Sequence, residues 1–164
     1  MKTWYQALIG LPLLLGMLAL QPALASNWSI YKHYNFKKLQ LAHPKPFAKE
    51  HLVLQVTQAD PQRWKMALNN VTNVRKFFGE ENIQVVVVAY GPGLKMLFAN
   101  SPFAKRINSL SVSGAEFDAC HNTMLGFKRK TGHLPKLVSS AVVVPGGIVR
   151  IMQLEQNGYD FIKP

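Results

Sequence analysis

The stretch EFDACHNTM, residues 116–124, carries the only cysteine of a 164-residue chain. Cysteine acts chemically as its thiolate, which is both nucleophile and sulfur acceptor. Cys120 stands where a short strand gives way to a helix. At a helix start, the positive end of the dipole and unpaired backbone N–H groups both favour thiolate over thiol. Such a position suits attack on a sulfur–sulfur bond better than a mid-strand site does. His121 and Asn122 add polar neighbours. The competing role is a small buried hydrophobe, because unpaired cysteines are among the most buried residue types. Position alone leaves both roles open. Asp118 shares a side of the strand with Cys120 by period-two geometry, but its negative charge would raise a thiol's pKa, so it is assigned no role as a base.

Two glycine-rich turns, GPG at 91–93 and PGG at 145–147, each follow an apolar run. Such turns cradle an anion or merely turn the chain, and neither matches a dinucleotide or P-loop fingerprint. Gly91 and Gly93 are candidate substrate contacts beside His121 and Asn122. Lys95 and Lys128 are the cations placed to hold a small anion. His33, His43, His51, His121 and His133 are scattered, and one adjacent Cys-His pair is not a metal-ligand spacing. The expectation is no metal and no cofactor.

The elements that must position these groups alternate in kind. LVLQVT (52–57) reads as a strand, and the following helix has Asp60 as N-cap, Pro61 at its first position and Gly79 at its end. Trp64, Ala67, Leu68, Val71, Val74 and Phe78 form its apolar face. IQVVVVAY (83–90) is apolar through its middle, as a strand covered on both faces should be. A short helical turn follows near 94–98, then a helix capped by Ser101 with Pro102 at its first position. AEFDA (115–119) is a short strand leading into a helix from Cys120 to near Gly132. VSSAVVV (138–144) is another buried strand. The next helix uses Ile148, Ile151, Met152 and Leu154 as its apolar side, and YDFI is an edge strand. Five strands joined by long connections imply a mainly parallel, flavodoxin-like three-layer α/β sandwich. Its ligands belong beyond the carboxyl ends of the strands, the edge that holds Cys120.

The N-terminus reads as an address. Lys2, the apolar run Ala7–Leu20 and Ala23-Leu24-Ala25 have the order of a secretory signal, with cleavage after Ala25. The apolar run is shorter than the ~20 residues of a spanning helix and is broken by Gly10, Pro12 and Gly16. The expectation is therefore a periplasmic or secreted protein with no stable membrane insertion once residues 1–25 are removed. Losing Lys2 lowers the formal charge of +11 by one, to +10. That excess favours anionic partners or keeps surfaces solvated. Export and the lack of a helix-turn-helix, RNP or zinc-finger pattern disfavour nucleic acid. Residues 26–50, basic and aromatic with Pro44 and Pro46, read as an arm packed loosely on the domain of residues 51–164 or used at a subunit contact. A single cysteine in an oxidising compartment is buried and inert, paired between molecules, or reactive.

From about residue 52 to the end the chain resembles the DsrE/DsrF-like family of small sulfur-handling α/β proteins. FDACHNTM at the strand-Cys-helix junction, VVVVAYGPGLKML, and the terminal VVVPGGIVRIMQLEQNGYDFIKP carry the resemblance. It implies a parallel-sheet subunit that forms homo-oligomers and carries sulfur as a persulfide on Cys120, passing it to a partner thiol. A sulfur-donor or acceptor protein, or a small anionic sulfur compound, is the implied partner. The alternative is a non-catalytic oligomeric binding or scaffold protein of the cell envelope with a structural cysteine.

Overall fold

All seven residues of Ile83–Ala89 (β2) are buried, because this strand is the middle one of five and is covered on both faces. The computed structural model describes residues 34–164; the expected signal segment and the start of the arm lie outside them. Glu50–Val56 (β1) lies beside β2, followed outward by Asp160–Ile162 (β5); on the other side lie Glu116–Cys120 (β3) and then Ala141–Val144 (β4). Every neighbouring pair is parallel. The expected parallel α/β architecture is present, with β5 at one edge.

The helices divide unevenly between the faces. From β1 to β4 the chain always steps the same way. Right-handed crossovers therefore put Pro61–Phe78 (α1), Ala104–Val112 (α2) and His121–Thr131 (α3) on one face, with the 3-10 segment Gly91–Leu97 beside them. There Leu54, Val85, Val87 and Phe117 pack against Trp64, Leu68, Ile107 and Met124. From β4 the chain returns across the whole sheet through Gly147–Gln156 (α4), which covers the other face. On that side Val53, Val86 and Val88 meet Ile151, Leu154 and Tyr159, with Leu39 and Leu41 of the arm completing the cover.

Local signals in α1 work as expected: Asp60 Oδ1 accepts from Gln62 N at 2.8 Å, Pro61 occupies the first position, and Gly79 ends the helix at φ 89°. Four expectations are corrected. The helix after Ser101 starts at Ala104 rather than at Pro102. The run 138–144 is a strand only from Ala141, and it forms an edge with Val143 exposed, not a buried strand. On α4, Ile148 and Met152 point outward, while Arg150 and Gln153 join Ile151 and Leu154 against the sheet. The described part of the arm is not loosely packed. Gln153 Nε2 donates to Phe36 O at 2.8 Å, Ala42 N donates to Glu116 Oε2 at 2.6 Å, and Lys45 N donates to Gln84 Oε1 at 2.8 Å. One helix cannot cover a five-stranded face, and the arm supplies the remaining cover and satisfies its polar groups.

Candidate functional site

Strands β3 and β4 are neighbours whose exits diverge: β3 runs into α3 on one face and β4 into α4 on the other. A divergence of this kind, at the carboxyl edge, is where ligands bind in open parallel sheets. Cys120 ends β3 there, in register with Val144 of β4. Asn122 N donates to Pro145 O at 3.2 Å across the divide.

Cys120 is itself the N-cap of α3. Its Sγ accepts from Thr123 N at 3.4 Å, so one of the helix's free N–H groups is aimed at sulfur. The thiol is only 4 % exposed. Thr123 works in both directions, because its Oγ1 also accepts from Gly91 N at 3.0 Å and ties α3 to the turn after β2. Tyr90, one residue earlier, packs its ring over Gly147 at the start of α4, and Gln55 Nε2 donates to its hydroxyl. Burial pushes the Tyr90 phenol up, partly offset by the bond from Gln55, and the nearby Cys120 charge adds to the rise.

Beside the thiol, a cleft of about 560 Å³ runs between the 3-10 segment and α3. Gly91, Lys95, Asn122, Thr123, Phe127, Arg129 and Lys130 are among its walls. Of the residues expected to bind substrate, the structure thus brings Gly91, Lys95 and Asn122 together. Lys128 is exposed and is not among the cleft's walls, whereas its neighbours Arg129 and Lys130 line it. Gly93 is buried against β1: a side chain there would lie 2.4 Å from Val56 O, so this glycine serves close packing instead of ligand contact. His121 is partly buried, and its Nδ1 is enclosed without a hydrogen-bond partner among the described residues. Cys120 does not line the cleft; Thr123 connects the two. Among the described residues, no three His, Cys, Asp or Glu side chains gather as metal ligands, and no helix is long and apolar enough to cross a membrane.

Sequence reasoning missed a buried polar cluster on the α4 face of β3. Glu116 and Asp118, both 0 % exposed, receive Arg150 Nη2 at 2.8 Å and Arg150 Nε at 2.7 Å. Arg150 also donates to Gln153 Oε1 and to Gln40 O, each at 2.9 Å. Burial, reinforced by the charge of Glu116, raises the Asp118 carboxyl well above the usual carboxylate range despite Arg150. Burial works against the Arg150 charge, but the two carboxylates outweigh it and hold the guanidinium protonated. The arrangement is one cation for two buried carboxyls. A signal was available: Glu116 and Asp118 alternate onto one side of a short strand that is otherwise apolar, and a covered strand needs a partner for them.

No family model and no curated protein matches the chain. Among solved structures, the protein of unknown function MTH1491 from Methanobacterium thermoautotrophicum is similar with a TM-score of 0.64 and 26% identity, over 71% of this chain and 100% of that one.

Proposed function

We propose that this chain is an exported, DsrE/DsrF-like sulfur-handling protein in which Cys120 accepts sulfane sulfur. The observation that carries the reading is the single thiol capping α3 at the point where β3 and β4 diverge, with Thr123 N aimed at its sulfur. With thiosulfate as donor, the Cys120 thiolate attacks the outer sulfur and a new S–S bond forms. The old S–S bond breaks and its electron pair leaves with sulfite. An acceptor thiolate then attacks the outer sulfur of the Cys120 persulfide and regenerates the Cys120 thiolate. Lys95, with Arg129 and Lys130 from α3, supplies the positive field that draws an anionic donor to the neighbouring cleft.

The test is intact mass after incubation with thiosulfate or an organic polysulfide. The expected result is a gain of one sulfur, absent from Cys120→Ser. Because the chain holds one cysteine, no second thiol confuses the assignment. An unchanged mass in folded protein, with Cys120 alkylated normally after unfolding, sinks the reading.

A second reading, an oligomeric binding or scaffold protein, draws on α4. Ile148, Val149 and Met152 are 52%, 38% and 49% exposed on its outer side. Sedimentation of Ile148→Glu/Met152→Glu against the wild type tests it, with a smaller species expected for the variant and an unchanged one counting against it.

A further inference from the structure

We propose that the cleft along α3 and the apolar groove beyond Phe127 form one site for a soluble amphipathic organic anion. Its acidic group would lie among Lys95, Arg129 and Lys130 and its aromatic or acyl part across Phe127. The inference uses the same cleft as the sulfur-transfer reading but does not require a reactive thiol.

Size argues first. The cleft holds about 560 Å³ and the adjoining groove about 410 Å³, whereas an inorganic oxyanion would occupy a small fraction of either. Both fall in the range of sites that enclose organic ligands. Phe127 belongs to both walls, and Phe98, whose ring centroid lies 5.2 Å from that of Phe127, carries the apolar surface onward to Pro135. Along the groove the accessible wall surface is mainly carbon, although Asn100, Thr131, His133 and Lys136 also stand along it.

Charge argues second. Three cations line the cleft without a carboxylate among its walls. Among the described residues the ion pairs belong to Lys45, Arg75 and Arg150, so Lys95, Arg129 and Lys130 have no acidic partner there. Arg129 and Lys130 stand in the last turn of α3, where cations complement the helix dipole. Lys95 comes from a separate segment and has no such reason to face the same space. Unpaired like charges around a concavity focus a field for an anion. The adjacent carbon-lined groove selects one with an apolar body.

The test uses the full chain carrying Cys120→Ser, titrated by calorimetry with 1-naphthalenesulfonate, its neutral analogue 1-naphthalenemethanol, inorganic sulfate, and phosphatidylglycerol vesicles. The sulfonate is expected to bind at least tenfold more tightly than either half-probe. Lys95→Glu/Arg129→Glu and, separately, Phe127→Ser are each expected to weaken it at least tenfold; Lys95 and Arg129 are exposed, so the charge reversal leaves the core intact. Equal affinity for sulfate and sulfonate, indifference to charge reversal, or preference for vesicles overturns the inference. Sulfonate binding in a protein whose wild type forms no persulfide sinks the sulfur reading alone. Persulfide formation without sulfonate binding sinks this inference alone.

Discussion

Arg150 Nε on α4 lies 2.7 Å from Asp118 Oδ2 on β3, and the two side chains are 3% and 0% exposed. With Glu116 on the same guanidinium, this contact fixes the returning helix to the strand that ends in Cys120. Stability and site geometry therefore share one cluster.

Removing the cation should be costly. Arg150→Met leaves two buried carboxyls without their partner and also strips donors from Gln153 Oε1 and Gln40 O. Breaking a buried pair from one side costs about 3–5 kcal/mol. A shift of that size in urea-unfolding free energy is the expected outcome, and a loss under about 1 kcal/mol would show that the cluster relaxes to water.

Acidity gives an independent check. In the folded chain the Asp118 carboxyl titrates above its ordinary 3.8, because burial and Glu116 oppose its charge. Its folded state thus binds a proton more readily than the unfolded chain. Stability from this group is complete below pH 3.8 and is lost as pH rises through the folded value. Asp118→Asn removes that loss while keeping most of the shape. Wild-type stability relative to Asp118→Asn should fall as pH rises from about 4. Arg150, Glu116, Tyr34 and Tyr159 face the same cluster, so the difference between the two proteins, not either curve alone, isolates Asp118. Parallel curves would remove Asp118 as the cause.

What was legible in the sequence follows from which forces are local. The run of β2, apolar but for Gln84, the Asp60–Pro61 start of α1 and the strand-to-helix junction at Cys120 are written in adjacent residues, and they gave the sheet and its ligand edge. The face of α4 is set by distant residues. Its apolar Ile148 and Met152 suggested an inward side, yet Arg150 and Gln153 face inward because Glu116, Asp118 and the arm's carbonyls need donors there. Arg129 and Lys130 escaped notice for a similar reason: Lys128 is one and two positions away from them, which is about 100° and 200° around the helix. A one-residue difference decides which cation faces the cleft.

Glycine substitutions separate packing from ligand contact in the turn after β2. An alanine Cβ at Gly93 would lie 2.4 Å from Val56 O and 2.7 Å from Thr57 N, both backbone atoms where β1 ends. At Gly91 the nearest atom is 3.8 Å away, and only the φ of 55° resists. Gly93→Ala should therefore cost about 2–3 kcal/mol by overpacking, and Gly91→Ala about 1 kcal/mol for its left-handed backbone. Thermal or urea unfolding measures the order. A larger cost at Gly91 would mean that ligand-edge geometry, not contact with β1, controls this turn.

Tyr90 and Gly147 offer the sharpest probe of the packing at the strand ends near Cys120. The Tyr90 ring lies where a Gly147 side chain would be, 2.6 Å from the position of an added Cβ at its Cδ1. Gly147→Ala must displace that ring, disturbing the hydroxyl's bond with Gln55 and the start of α4 together. A cost of about 1–3 kcal/mol follows from overpacking. Tyr90→Ala vacates the space, so adding it to Gly147→Ala should recover part of that penalty. Residues in contact couple by about 0.5–3 kcal/mol in a double-mutant cycle, and a favourable coupling in that range is expected from unfolding measurements on the four proteins. Alkylation of Cys120 provides a second readout, because the residue is 4% exposed and lies near enough to Tyr90 for its charge to act on the phenol. Gly147→Ala should speed alkylation, and the double variant, with the ring gone, should speed it further. Additive stabilities with unchanged alkylation would mean that Tyr90 neither packs on α4 nor shields the sulfur.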